Sequence, residues 1–252
     1  MTINTKPAPS SLDPAEVEKF SKMAAEWWNP KGKFGVLHKF NPVRLTYIKE
    51  QVCARLGLDP IEREPFKGLR FLDIGCGGGL LCEPMARLGA NVVGVDPSEK
   101  NIKTASVHAS EMELDIDYSV GTAEDLAAAG EKFDVILNME VIEHVANPQA
   151  FTATCVNLMK PNGLMFVATL NRTLKSFALA IVGAEYVLGW LPKGTHEWEK
   201  FIKPTELKDW LSASGATTKA ESGVTFHPIA NEWRRAKDMD VNYMLVAQSH
   251  QS

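Results

Sequence analysis

The sequence predicts an α/β fold built on an open, mostly parallel sheet, and three observations predict it. From Leu69 onward, apolar runs of strand length alternate with amphipathic stretches of helix length, the pattern of successive βαβ units. The first run, Leu69 to Ile74, breaks into Gly75-Cys76-Gly77-Gly78-Gly79, where glycines let the chain turn sharply and let a ligand approach main-chain N–H groups. The second run ends in Asp96, about twenty residues on, where nucleotide-binding sheets present a carboxylate to a ribose diol. Together the loop and the carboxylate point to an adenosine-containing ligand.

The elements follow in order. Asp13-Pro14 with Glu16 reads as a capped helix start, continuing to Trp27-Trp28. Asn41-Pro42 repeats the device and opens a second helix that Gly57 stops, so helices over 13–58 form a preface to the sheet rather than a separate domain. Strands are expected at Arg70–Ile74, Val92–Val95, Ile116–Val120, Phe133–Asn138 and Leu164–Leu170, with helices at Leu80–Leu88, Ser98–Ala109 and Pro148–Met159 between them. One more helix, Pro204–Ser214, precedes strands near Thr217–Val224 and Tyr243–Gln248 that can pair as a hairpin.

The 252 residues are 45% hydrophobic and 23% charged, the balance of a chain with a sizeable core. A net charge of -4 and a pI near 5.9 argue against bulk nucleic-acid binding, which needs surplus Lys and Arg. Cys53, Cys76, Cys82 and Cys155 form no CxxC pair, so neither a disulfide framework nor a zinc knuckle is indicated and a reducing cytoplasm fits. Residues 1–12 are polar with no apolar core; they read as a disordered tail, not a secretory signal, ahead of a single domain over 13–252.

A dinucleotide fingerprint starting at Gly75 needs a third glycine where Leu80 stands, which disfavours a nicotinamide dehydrogenase. Asp96 can also cap a helix before Pro97, although Ser98 can do so itself. Thr122 and Asp125 sit where an adenine contact is expected, or form a capping box. The fourth strand delivers Met139-Glu140-Val141-Ile142-Glu143-His144-Val145 to the carboxyl edge of the sheet. If a helix starts there, Glu140, Glu143 and His144 share one face. Two carboxylates and an imidazole can ligate a divalent ion such as Mg2+ or support acid–base chemistry, or Glu140 can serve only to bond backbone N–H groups.

The run Asp73-x-Gly75-Cys76-Gly77-Gly78-Gly79 resembles the first motif of class I S-adenosylmethionine-dependent methyltransferases, and Val95-Asp96-Pro97-Ser98 resembles their second. Glu26-Trp27-Trp28, Asn41-Pro42-x-Arg44-Leu45, Met139-Glu140-x-x-Glu143-His144-Val145, Pro192-Lys193-Gly194-Thr195-His196 and Lys200-Phe201-Ile202-Lys203-Pro204 resemble the ubiquinone-biosynthesis O-methyltransferase family over nearly the whole chain. The resemblance implies a Rossmann-like methyltransferase fold, with a seven-stranded sheet that is mostly parallel and ends in an antiparallel hairpin. It also implies S-adenosyl-L-methionine as cofactor, contacted by Arg44, Gly75, Gly77, Asp96 and Met139. The implied reaction is methylation of phenolic hydroxyls on polyprenylated ubiquinone precursors, at two steps. In the eukaryotic branch the Glu-x-x-Glu-His set is associated with a divalent ion, matched here by Glu140, Glu143 and His144.

A phenol has a pKa near 10, so attack on a methyl group needs a base or a cation beside the hydroxyl. His144, Glu143 and His196 are the candidate catalytic residues. Ser176 to Leu191 is apolar, with Arg172, Lys175 and Lys193 flanking it and Trp190 near its end, inside an insertion over 172–203. It is too short for a transmembrane span and can lie in an anionic bilayer interface, which would make the protein peripheral on the inner face of the cytoplasmic membrane; a buried helix or a dimer contact is the alternative. A ubiquinone-biosynthesis complex is a further expected partner. Another small-molecule methyltransferase and a non-catalytic adenosyl-binding module are the competing readings.

Overall fold

The structure, a computed structural model, describes residues 11–179 and 197–250. The preface consists of α1 (Pro14–Ser21), a 3-10 turn at Ala24–Glu26, and α2 (Gly35–Leu56). The alternating region runs β1 (Arg70–Ile74), α3 (Cys82–Arg87), β2 (Asn91–Asp96), α4 (Glu99–Glu111), β3 (Asp117–Val120), α5 (Ala123–Ala128), β4 (Phe133–Met139), α6 (Pro148–Asn157) and β5 (Met159–Leu170). A short turn of helix α7 (Leu174–Ser176), then α8 (Pro204–Ala213), β6 (Ala216–His227), β7 (Glu232–Ala236) and β8 (Asn242–Ser249) complete the described chain.

The strands form one sheet in the order β3-β2-β1-β4-β5-β8-β6-β7. The first five are mutually parallel and the last three join antiparallel. Among the described residues this is eight strands, one more than the seven expected. The extra strand, β7, pairs with β6 as the actual hairpin, while β8 returns to lie between β5 and β6. Alternation along each strand feeds two cores: Phe71 packs with Tyr47, Ile48, Val52 and Phe166 on one face, and Leu72 with Ile136, Phe151 and Leu211 on the other. The preface thus covers one sheet face and belongs to the same core.

Three local expectations are corrected. The first helix ends at Ser21 rather than Trp28, because both tryptophans turn toward the glycine loop, which consecutive residues of a helix cannot do. Trp27 donates from Nε1 to Asn101 Oδ1 at 3.0 Å, and Trp28 donates from Nε1 to the Gly78 carbonyl at 2.9 Å. The second helix starts at Gly35 and keeps Pro42 inside it. Burial of Phe40 and Arg44 on that helix, with Phe34 stacked on Trp27 at its start, outweighs the main-chain bond a proline forfeits. Finally, no helix begins at Glu140: its φ of 62° kinks the chain after β4, and only a 3-10 turn, Ile142–His144, follows. Glu140, Glu143 and His144 therefore do not share one helical face.

Candidate active site

Strand β1 has β2 on one side and β4 on the other, so the chain crosses over in opposite directions at this point and leaves a crevice beyond the strand ends. A cavity of about 520 Å³ occupies it, floored by Asp73, Gly75, Asp96 and Met139. The glycine loop is pinned on both sides. Cys76 donates its N–H to the Val95 carbonyl at 3.0 Å, and Gly77 donates to Asp96 Oδ2 at 3.0 Å. Gly77 has φ of 55°, and a Cβ there would lie 2.3 Å from the Trp27 ring, so both the backbone and the close approach require glycine.

Asp96 Oδ1 accepts from Ser98 N at 2.8 Å and from Asn101 Nδ2 at 3.1 Å. Ser98 itself caps α4, as the sequence allowed, and Asp96 stays turned to the cavity. Burial raises the Asp96 pKa against those three donors. Thr122 and Asp125 form the capping box at the start of α5, and Thr122 also lines the cavity.

Asp73 was not singled out from sequence as a site residue, though a carboxylate inside the apolar strand Leu72-Asp73-Ile74 was the signal. It is 3% exposed, and Cys82 Sγ donates to its Oδ2 at 3.1 Å. Burial pushes its carboxyl up to about 7, opposed by that thiol and by the Arg44 guanidinium. Arg44 is itself 3% exposed, lies 4.9 Å above the Phe40 ring, donates to Asn41 Oδ1, and keeps Nε without a partner among the described residues. The charges of Glu140 and Asp73 oppose its desolvation. Asp73, Asp96, Glu140 and Glu143 line the same cavity as this buried guanidinium, and an excess of carboxyl groups there favours a ligand carrying positive charge.

Glu143 is 3% exposed, and neither of its oxygens has a hydrogen-bond partner among the described residues. Burial first, and then the charge of Glu140, pushes its carboxyl up to about 8, with the Thr169 hydroxyl opposing. His144 is turned elsewhere: its Nδ1 lies 2.8 Å from Glu16 Oε2, and its ring meets Phe20 edge-on at 5.1 Å. Burial alone would raise Glu16, but the hydrogen bond and charge of His144, with the Lys19 ammonium, hold it at about 2.

That pair is one of the tethers that roof the cavity with α1. Lys200 reaches Asp13 at 3.3 Å, and Ala146 donates its N–H to the Ser11 carbonyl at 2.8 Å. Ser11, expected within a disordered tail, is buried. His196 and most of the apolar segment 176–191 lie outside the described residues; its start does not, and Leu179 lines the cavity while 55% exposed.

The donor set does not fit a metal ion. Among the described residues no group of three or more His, Cys, Asp or Glu side chains is placed to hold one, because His144 faces Glu16 and Glu140 faces Arg44. No helix among the described residues is long and apolar enough to cross a membrane.

The model of a methyltransferase domain family matches residues 45–220. The chain is 62% identical over 243 residues to the ubiquinone biosynthesis O-methyltransferase of Parvibaculum lavamentivorans, covering 96% of each chain. It is 60% identical over 243 residues to the protein of that name from Mesorhizobium japonicum, covering 96% of this chain and 98% of that one. Among solved structures, the magnesium protoporphyrin IX methyltransferase of Synechocystis PCC 6803 with bound SAH superposes with a TM-score of 0.66 at 21% identity, covering 95% of this chain and 100% of that one. The last likeness is one of fold.

Proposed function

The chain belongs to the ubiquinone biosynthesis O-methyltransferase family, and from that premise we propose that it transfers a methyl group from S-adenosylmethionine to a phenolic hydroxyl on a polyprenylated ubiquinone precursor, at both O-methylation steps. The observation that carries this reading is a single cavity lined both by the carboxyl groups of Asp73, Asp96, Glu140 and Glu143 and by aromatic side chains such as Phe40, Phe226 and Trp233. When bound, S-adenosylmethionine supplies an electrophilic methyl on a sulfonium.

Arg44 would hold the methionine carboxylate, since a guanidinium pairs with it in a fork. Asp73 would accept from the ammonium, Asp96 from the two ribose hydroxyls, and Thr122 would border the adenine. Gly75 and Gly77 keep the loop close, and Met139 walls the site at the end of β4. Glu143 would take the phenolic proton in its ionised form: its carboxyl, pushed up to about 8, lies about two units below a phenol, so the fraction able to accept grows as pH rises toward 8. His144, tied through Nδ1 to Glu16, would close the roof over the reacting groups and exclude water. No step is routed through a metal.

The test is binding and turnover. Calorimetry is expected to find S-adenosylmethionine and its demethylated product binding and NAD not binding, and mass spectrometry is expected to find a singly methylated product from a short-chain prenylated catechol. Preference for NAD, or tight cofactor binding without any methylated phenol, would reject the reading.

Leu174 (80% exposed) and Phe177 are exposed on the same short segment as Lys175 and Leu179, which line the cavity, and this supports contact with an anionic bilayer and entry of a prenyl tail from it. The protein would then be cytoplasmic and peripheral on the membrane. Changing Leu174, Phe177 and Leu179 to Ser is expected to abolish co-sedimentation with phosphatidylglycerol vesicles; undiminished sedimentation of the folded variant would exclude that contact.

A further inference from the structure

Asp96 is oriented by a side chain that is itself oriented from the N-terminal preface. Asn101, 1% exposed in the first turn of α4, has its amide between two partners that cannot exchange roles. The Trp27 indole donates from Nε1 to Asn101 Oδ1 at 3.0 Å, and Asn101 Nδ2 donates to Asp96 Oδ1 at 3.1 Å. An indole can only donate and a carboxylate can only accept, so one of the two amide orientations satisfies both partners and the other satisfies neither. Turned over, the amide would set its oxygen against the carboxylate and its NH2 against the indole N–H, two repulsive contacts in a buried place.

A second link runs the same way. Ser21 Oγ, at the end of α1, donates to Ser98 Oγ at 2.5 Å; Ser98 gives Asp96 its backbone N–H at 2.8 Å, and its Oγ accepts from Asn101 N at 3.3 Å. Two of the three donors on Asp96 thus belong to residues tied to the preface. The third, Gly77 N, lies in the loop against which the Trp27 ring packs. Burial works against an ionised Asp96, and these three donors oppose it. Trp27 is 8% exposed and its ring stacks on Phe34 at 3.8 Å, which fixes the direction of its N–H.

We propose that Trp27 is a positioning residue for the cofactor, acting through Asn101 to hold Asp96 as the acceptor for the ribose hydroxyls. This rests on the assignment of Asp96 to the ribose made above. The carboxylate comes from β2, but the orientation of its amide donor is set by a residue 74 positions before Asn101. The preface therefore completes the cofactor site as well as roofing it.

The test is calorimetric titration with S-adenosylhomocysteine at pH 8. Trp27→Phe, which keeps an aromatic ring on Phe34 but has no donor, is expected to weaken binding about 5-fold, the effect of one neutral hydrogen bond. Asn101→Ala, which removes a bond to a charged group, is expected to weaken it about 10- to 100-fold. The deciding measurement is the cycle: with Asn101→Ala already present, Trp27→Phe should change affinity by less than about 2-fold. An equal loss in both backgrounds makes Trp27 a packing residue and overturns the proposal, as does unchanged affinity in Trp27→Phe. Asn101→Asp offers Trp27 an acceptor but sets a carboxylate against Asp96, so it should bind more weakly than Asn101→Ala. Binding as tight as that of Asn101→Ala, or tighter, overturns the proposal, and this comparison leaves Trp27 in place. Asp96→Asn separates the two readings: if it alone leaves affinity unchanged, the ribose assignment fails and the positioning role with it. If it weakens binding and Trp27→Phe does not, only the positioning role fails.

Discussion

Glu143→Gln is expected to lower kcat by about 10²- to 10⁴-fold at pH 8, the usual contribution of a positioned acid–base group, while making the fold more stable. Two facts combine to give this opposition. The carboxyl is buried without a hydrogen-bond partner among the described residues, and its pKa is pushed from an ordinary 4.5 up to about 8. A group raised on folding stabilises the native state fully below its unfolded pKa and loses that contribution as pH rises through its folded pKa. Between about pH 4.5 and 8 the folded protein therefore becomes progressively less stable on account of this residue, and Gln, which does not ionise, escapes the loss. A gain on the order of 3 kcal/mol at pH 8 follows, or roughly 5–10 °C in the melting midpoint. In the unaltered protein kcat/KM should rise with pH and level off above about 8. A variant that keeps its turnover, or melts at the same temperature at pH 8, would remove Glu143 from the mechanism.

Asp73→Asn should weaken S-adenosylmethionine binding by about 100-fold, the cost of removing one partner of a buried charge pair. The expected pH dependence has the same physical origin and the opposite consequence. Burial holds the Asp73 carboxyl at about 7, so it is largely protonated just below neutrality, and a cationic ligand needs it ionised. The dissociation constant should therefore rise by up to about tenfold per unit as pH falls below 7 and be flat above it. In Asp73→Asn the profile should be flat throughout. Titration calorimetry from pH 5.5 to 8.5 decides, and a pH-independent affinity in the unaltered protein would mean that another group holds the ammonium.

The parallel half of the fold was legible because its signals are local. β1, β2, β4 and the second half of β5 are apolar runs bounded by turn residues, and Ser98, Asn147 and Gly57 each stand at the helix boundary their chemistry favours. The elements that escaped depend on contacts distant in sequence. β7, Glu-Trp-Arg-Arg-Ala, has no apolar alternation and becomes a strand only because β6 supplies its ladder. Pro42 looked like a helix start because the burial of Phe40 and Arg44 against the cavity is invisible locally. In the site, the glycine loop and Asp96 could be read from spacing, whereas the pairing of His144 with Glu16 joins residues 128 positions apart. Asp73 was hidden by its own setting, since a carboxylate within an apolar strand acquires its meaning from Cys82 and Arg44 once the fold closes.

The β6–β7 hairpin shapes the outer margin of the sheet. With β7 in place, the last strand exposes a ladder edge whose side chains are charged: Glu232 and Arg234 pair with each other at 2.5 Å, and Arg235 reaches back to Glu50 on α2 at 2.6 Å. A sheet ending at β6 would instead present a long edge carrying Val224 and Phe226, the kind of strand that recruits a neighbouring chain. The five residues of β7 thus act as a gatekeeper against edge-to-edge association, and a chain shortened through the hairpin would be prone to self-assemble before it failed to catalyse.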